Sequence, residues 1–332
     1  MTNDYLLTVS NKESLLFTVF TTASNRPEEL KRLYASLLKQ TYQDFEWLIV
    51  DDSTDDRVRE VVKEFISEER INIRYHKQDH RGRYWAQKTG FALVDTPYMV
   101  DIDDDDELTE DCLEVLAREW EKVEKEGRKD IGIVCGLCVD EEGHVVSYHD
   151  ERPSFDTNYI DLEWKKKRPS ENLLSRKLEV IRNVDIFCDE GKWLADQVAL
   201  VRESVLWNRV ARKYNTRYVN HPMRVYHTES TNRLSAPVFN RQKCIDYVYS
   251  NGTLLNELRD RLWENPKDLV KYVAEYVACG AAIGISFKEL ISHLEGQTLK
   301  TIAVLLYPAG VVVGKVLLRP GVKNFAPVKM GQ

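Results

Sequence analysis

The stretch Thr96-Pro-Tyr-Met-Val100-Asp101-Ile102-Asp103-Asp104-Asp105-Asp106 decides the fold, because an apolar, strand-like run delivers a burst of carboxylates at its carboxyl end. Acids this crowded repel one another and raise their own pKa values unless a cation or a network of donors offsets them. A bound metal at the mouth of the strand is therefore expected. Carboxylate oxygens suit hard ions such as Mg²⁺ or Mn²⁺. The structural alternative is a solvated acidic turn ahead of a helix that begins near Thr109. The EF-hand pattern fails: counted from Asp101, Asp106 stands where the sharp turn needs Gly, and Cys112 stands where the bidentate Glu belongs.

Upstream, short apolar runs alternate with helical ones, the pattern of βαβ units and a parallel sheet. Residues 16–22 read as the first strand. Pro27 suits a first helical turn beside Glu28 and Glu29, and Leu30, Leu33, Tyr34, Leu37 and Leu38 share one helix face. Residues 45–50 read as the second strand, 56–69 as a polar helix, 71–76 as the third strand and 84–94 as a helix leading to the strand that delivers Asp101. Open α/β sheets bind ligands outside the carboxyl ends of their strands, so Thr21, Thr22, Asp51, Asp52, Asp101 and Asp103 are expected to converge on one crevice. Taken singly, 22–25 and 53–55 also read as turn or capping residues.

Downstream, 109–126 reads as a helix closed by Gly127, with Leu113, Leu116, Trp120 and Val123 on its core face. Cys135 and Cys138 form a lone CxxC inside the apolar run 131–139. With no second ligand pair in view, that run reads as a buried strand rather than a metal site. Residues 140–182 are polar and irregular, carry the basic run 165–168, and read as an insertion over the site. From 239 onward, helical segments suggest a C-terminal appendage.

Of the 332 residues, 43% are hydrophobic and 30% charged, which is globular rather than disordered. The formal net charge of −7 argues against a nucleic-acid partner. Six scattered cysteines make no disulfide framework, and the first 14 residues lack a basic region followed by a long apolar stretch. A cytoplasmic location is expected. Residues 301–318 are strongly apolar but interrupted by Pro308, Gly310, Gly314 and Lys315. They read as a buried or interface-lying segment, with peripheral contact on the inner face of the membrane as the corresponding expectation.

Six further pieces then fall in order: Asn25-Arg-Pro27, Leu37-Leu-Lys-Gln-Thr41, Val50-Asp-Asp-Ser53, the glycine turn His80-Arg-Gly82 with Ala86 and Gly90, Asp101-Ile-Asp103-Asp104, and the acidic helix at Glu203 before Tyr226-His227. On these, residues 15–235 resemble the family 2 glycosyltransferases of the GT-A fold, which use nucleotide-diphosphate sugars and mostly invert the anomeric centre. The resemblance implies a Rossmann-like α/β/α sandwich with a mostly parallel central sheet over 15–238, an N-terminal extension over 1–14 and a helical region over 239–332. It implies that Asp52 meets the nucleotide base, most often uracil. Asp101 lies near the ribose and cation, Asp103 ligates the metal directly, and His227 contacts metal or diphosphate. The donor-binding set expected is Thr21, Thr22, Asn25, Asp52, Gly82, Lys88, Asp101, Ile102 and Arg233, with Asp103, Asp101 and His227 on Mn²⁺ or Mg²⁺.

The general base is Glu203 or Asp196, because the family's usual Glu-Asp pair appears here as Arg202-Glu203. Its usual Arg-Asn pair in the glycine segment appears as Gln87-Lys88.

The implied reaction moves a sugar from a UDP-linked donor to a glycan or lipid-linked acceptor in surface polysaccharide assembly. Such transfer needs charge stabilisation on the departing phosphates and a separate carboxylate for the acceptor's proton. No GxSxG, Walker A or GxGxxG is present. Two other readings stand beside it. A catalytically silent nucleotide-sugar-binding module would lack a working base. A sugar nucleotidyltransferase would want a glycine- and basic-rich loop after the first strand, which Thr22-Ala-Ser-Asn25 does not provide.

Overall fold

The computed structural model describes residues 5–7, 15–149, 151–165, 171–187, 191–227 and 240–317. Two compact units divide the chain: Met1–Ile186 with Asn208–Ser230, and Phe187–Trp207 with Thr231–Gln332. The segment 187–207 falls in the second unit with the C-terminal helices. Arg233 lies outside the described residues.

The first unit runs β1 (Tyr5–Leu7), β2 (Phe17–Ala23), α1 (Pro27–Leu38), β3 (Phe45–Asp51), α2 (Arg57–Ser67), β4 (Asn72–Lys77), α3 (Arg83–Leu93), β5 (Tyr98–Asp101), β6 (Glu107–Leu108), α4 (Cys112–Lys125), β7 (Ile131–Val139), β8 (Ser154–Thr157), α5 (Tyr159–Lys165), β9 (Asn172–Lys177) and α6 (Leu178–Asn183). Helix α7 (Glu203–Ala211) and strand β10 (Asn215–Val225) follow. The sheet order is β1-β4-β3-β2-β5-β9-β7-β10-β6, with β8 beside β10.

Strands β4, β3, β2 and β5 are mutually parallel, and β7 and β10 pair parallel further along. The chain steps from β2 outward to β3 and β4, then returns to β5 on the other side of β2. That reversal opens a crevice between the carboxyl ends of β2 and β5, the place where such sheets take ligands.

Alternation along the strands supplies a core to each face. Phe17, Val19 and Ala23 of β2 and Phe45, Trp47 and Ile49 of β3 pack with residues of α1, α2 and α4. Tyr34 stacks on Phe65 at 4.0 Å, and Tyr98 on Trp120 at 4.5 Å. Phe20, on the opposite face, meets Phe91 of α3 edge-on at 5.9 Å.

The polar stretch 140–182 is not a plain insertion. It contains β8, α5 and β9, and β9 sits in mid-sheet, antiparallel to both β5 and β7. Its sequence, Asn-Leu-Leu-Ser-Arg-Lys, hides the strand because the buried positions include Ser175 and Arg176. Each has a specific partner: Trp120 Nε1 donates to Ser175 Oγ at 2.9 Å, and Arg176 pairs with Asp101. Residues 5–7, expected in an extension, pair antiparallel with β4 at the sheet edge.

The second unit holds α8 (Arg241–Glu257), α9 (Pro266–Ala282), α10 (Phe287–Ser292) and α11 (Gln297–Leu317). Asp246 accepts from Ala199 N at 2.9 Å, Ser250 Oγ accepts from Arg202 N at 3.0 Å, and Arg202 Nη2 pairs with Glu275 at 2.8 Å. These bonds explain why 187–207 belongs with these helices. On α11, Gly310 and Gly314 seat one face closely on α9: a Cβ at Gly314 would lie 2.7 Å from the Ala278 carbonyl. Val304, Leu305, Val312 and Val313 are exposed, Leu305 at 74% and Val312 at 65%.

Gly90 in α3 makes a comparable close approach, since a Cβ there would fall 2.0 Å from the Phe20 ring. Ala in a helix gains about 1 kcal/mol over Gly, whereas overpacking a filled core costs about 1–3 kcal/mol. The overlap is severe, so Gly90→Ala should lower the urea midpoint despite the better helix former. An unchanged or raised midpoint would show that Phe20 yields freely.

Candidate active site

The carboxyl ends of β2, β3 and β5 are laced together. Asn25, at φ 59°, donates its backbone N–H to Ser53 Oγ at 2.8 Å, while its side-chain oxygen accepts from Thr54 N at 3.1 Å. Asp51 is fully buried and accepts from Tyr75 Oη at 2.6 Å and Ser53 N at 2.8 Å. Asp52 is buried and anchors the glycine turn. Its carboxylate accepts from Arg81 N at 2.9 Å, Gly82 N at 2.8 Å and Gln78 Nε2 at 2.8 Å. Gly82, at φ 100°, occupies the left-handed region and caps α3, which a side chain would strain. Asp52 therefore holds the glycine turn in shape.

Each aspartate of the cluster meets an arginine. Asp101 pairs with the fully buried Arg176. Asp103 lies 2.6 Å from Arg83 Nη2 and 2.9 Å from Arg224 Nη2. Arg26 Nη1 bridges Asp104 at 3.0 Å and Asp105 at 2.6 Å. Arg224 Nε donates to Asp106 at 2.6 Å, and His227 N donates to the same carboxylate at 2.9 Å. Five carboxylates (Asp101, Asp103, Asp104, Asp105, Asp106) thus face four guanidiniums (Arg26, Arg83, Arg176, Arg224). The crowding that pointed to a metal is already offset by donors, so it is no longer evidence for one by itself. The geometry is: oxygens of Asp103, Asp105 and Asp106 lie within 4.8 Å of one another, and this all-oxygen set fits a hard divalent ion.

Of the residues expected on the metal, Asp103 belongs to this set. Asp101 is committed to Arg176. Both ring nitrogens of His227 are engaged by carboxylates, Glu107 and Glu141, each at 2.8 Å. Thr21 belongs to the core, its hydroxyl accepting from Trp47 Nε1 at 3.0 Å. Ile102 is buried and donates its N–H to the Phe20 carbonyl at 3.0 Å. Thr22, next to last in β2, is partly exposed. Lys88 lies 5.4 Å from the centre of the Trp85 ring. Glu203 and Asp196 lie in the second unit, both exposed: Glu203 opens α7 and Asp196 sits in the short turn Ala195–Gln197.

The four arginines are what the sequence reading missed. Arg26 and Arg224 adjoined quoted motifs, but nothing marked Arg176.

Burial governs the electrostatics. It pushes the Asp104 carboxyl up to about 7, with Asp105 and Asp103 adding and Arg26 opposing. It pushes Asp106 up to about 6 against the pull of Arg224. For Asp103, burial raises the pKa, but Arg83, Arg224 and Arg26 together hold it below the usual value.

Comparison with known proteins agrees with this architecture. The chain superposes on the Staphylococcus aureus protein TarS (residues 1–349, solved with UDP-GlcNAc) with a TM-score of 0.57 and 11% identity, covering 92% of this chain and 93% of that one. It superposes on the mannosyltransferase PcManGT of Pyrobaculum calidifontis, solved with GDP-Man and Mn²⁺, with a TM-score of 0.50 and 14% identity, covering 90% and 86%. The fold is thus that of the GT-A glycosyltransferases. Residues 18–177 match the family description "Glycosyl transferase family 2", so the chain carries a domain of that family over those residues. Escherichia coli chondroitin synthase is 30% identical over 137 residues, which is 40% of this chain and 19% of that protein. The chain matches well under half the length of its curated relatives.

A carboxyl that titrates near 7 when folded but near 3.8 when free holds its proton longer in the native state. Its contribution to stability is complete below the free value and is lost as pH rises through about 7. Asp104→Asn keeps one acceptor for Ser24 N and removes this titration. Its urea midpoint relative to the native chain should therefore climb between about pH 5 and about pH 8. A difference that stays flat or falls over that range contradicts the assignment.

Proposed function

We propose that the chain is a metal-dependent, inverting glycosyltransferase that takes a sugar from a nucleotide-diphosphate donor, UDP-linked by preference, to a glycan or lipid-linked acceptor in surface polysaccharide assembly. The observation that carries this reading is the Asp103, Asp105, Asp106 oxygen set at the β2/β5 crevice, inside a family 2 domain. Support for the donor class comes from TarS, solved with UDP-GlcNAc, and PcManGT, solved with GDP-Man. Support for polymer synthesis comes from the chondroitin synthase relative.

In this reading the acceptor oxygen bonds to the anomeric carbon from one side while the bond from that carbon to the phosphate oxygen breaks on the other. The bonding pair leaves with the nucleoside diphosphate, and inversion follows. A carboxylate, Glu203 or Asp196, takes the acceptor hydroxyl's proton. A divalent ion held by Asp103, Asp105 and Asp106 would supply positive charge beside the departing diphosphate. The half-buried Arg202 is fixed by Glu275 at 2.8 Å and by the Tyr247 ring at 4.4 Å. Its neighbour Glu203, exposed at the start of α7, is on that ground the preferred base.

With Mn²⁺ and a panel of sugar nucleotides, Glu203→Gln should retain donor binding and lose about 10²–10⁴-fold in turnover. Collapse in Asp196→Asn alone would move the base to Asp196. Full turnover in both variants would remove the base role from either and overturn the mechanism. Chelation of the metal should abolish donor hydrolysis.

The reading also has the chain acting in the cytoplasm, docked peripherally on the inner membrane face. Support comes from α11, which carries Lys300 and Lys315, no acidic residue, and an outward face of Val304, Leu305, Val312 and Val313. Burying such a face in the headgroup boundary is favourable, and lysines add attraction to anionic lipid. Flotation with phosphatidylglycerol-containing vesicles should drop several-fold for Leu305→Glu with Val312→Glu in the full chain. Equal flotation would dispose of the contact.

A further inference from the structure

We infer that Asp246 is a positioning residue for the transfer reaction: with Gln242 and Ser250 it forms a row along α8 that fixes the loop carrying both candidate bases, Asp196 and Glu203. The inference rests on the glycosyl-transfer reading above and deepens it.

Residues 242, 246 and 250 are each four apart in α8 and so share one face of the helix. Each takes hold of the loop's backbone at a different point. Gln242 Nε2 donates to the Gln197 carbonyl at 2.8 Å, Asp246 Oδ1 accepts from Ala199 N at 2.9 Å, and Ser250 Oγ accepts from Arg202 N at 3.0 Å. Successive turns of one helix thus meet residues 197, 199 and 202 in order, over a stretch, 198–202, that has no helix or strand of its own. Gln242 Nε2 also lies 3.1 Å from Asp246 Oδ1 and steadies it. The two ends of the loop are held as well. Before it, Trp193 Nε1 donates to Glu289 at 3.0 Å and its ring stacks on His293 at 3.8 Å. After it, Asn251 Nδ2 donates at 3.1 Å to Glu275, the carboxylate that pairs with Arg202.

Within this fixed frame Asp196 and Glu203 both stand exposed, one on each side of the row's contacts. Leu194, two residues before Asp196, sits at φ 62°, a left-handed conformation that a branched side chain keeps only where its surroundings impose it. Apolar packing alone would hold a loop against a helix. A buried carboxylate does more, because it must meet N–H groups in a defined direction. Asp246 is buried, and burial pushes its carboxyl up while the N–H groups of Ala199 and Leu200 and the Gln242 amide pull it back. Its cost of desolvation is therefore offset by the same bonds that set the loop's path. A base works only within hydrogen-bond reach of the proton it removes, and a displacement of about 1 Å can cost about 10²-fold in rate. Asp246 acts on the reaction through the loop's backbone.

The test measures turnover of the preferred sugar nucleotide with Mn²⁺, and affinity for UDP and GDP by calorimetry, for native protein, Asp246→Asn and Ser250→Ala. Circular dichroism confirms that each variant is folded. Asp246→Asn should lose about 10–100-fold in kcat. Its KM for the donor and its nucleotide affinity should stay within about twofold of native. Ser250→Ala should lose kcat in the same way, several-fold. Each substitution is then placed in the Glu203→Gln and Asp196→Asn backgrounds. Once the base that the row serves is gone, Asp246→Asn should cost less than about threefold more. Non-additivity with one of the two supports the assignment and names the base. Additive losses in both backgrounds, or kcat unchanged in both Asp246→Asn and Ser250→Ala, would overturn it. A fall in nucleotide affinity matching the fall in kcat would also overturn it, by showing a general loosening of the fold. Should Asp246→Asn fail to fold, Ser250→Ala in the same two backgrounds decides the matter. If the native protein turns over no donor, or both base variants keep full turnover, the mechanism above fails and takes this inference with it.

Discussion

The structure around the crevice depends on the neutralisation of one run of aspartates by arginines brought from far along the chain. Arg26 follows β2, Arg83 opens α3, Arg176 comes from β9 and Arg224 from β10. Removing one partner of a buried pair leaves an uncompensated charge, at a cost of about 3–5 kcal/mol, so these four segments are tied to the end of β5. Low dielectric makes the same network responsive. Burial raises Asp104 and Asp106 while the arginines hold Asp103 down, so neighbouring carboxyls differ in protonation although the sequence makes them look alike.

Around that network the backbone is fixed by polar contacts between loops. Asp52 is spent on the N–H groups of Arg81 and Gly82, and Asn25 bridges the loops after β2 and β3. Such contacts make loops as definite as strands, and they fix the glycine turn to the end of β3. The residue expected to read the base is therefore also a structural anchor.

In the second unit the same logic operates with aromatic partners. Arg202 sits between Tyr247 and Tyr272 and pairs with Glu275, and Asp246 and Ser250 take the backbone N–H groups of Ala199 and Arg202. The substitution of Arg for the family's Glu in the Arg202-Glu203 pair thus has a physical account. The half-buried arginine is the fastener, and its neighbour is exposed.

By itself the sequence determined the alternation of strands and helices from β2 to β5, because apolar periodicity is a local property that each segment carries alone. It determined also that β5 ends in carboxylates, and the order of motifs that marks the family. It misread β9, where Ser175 and Arg176 break the apolar pattern because their partners, Trp120 and Asp101, lie 55 and 75 residues away. It grouped Asp101 and His227 with Asp103, but spacing cannot show that Asp101 pairs with Arg176 and that His227 lies between Glu107 and Glu141. Only the tertiary structure decided which charges neutralise which. Electrostatic pairing depends on distance through space, and a chain written in one dimension does not contain it.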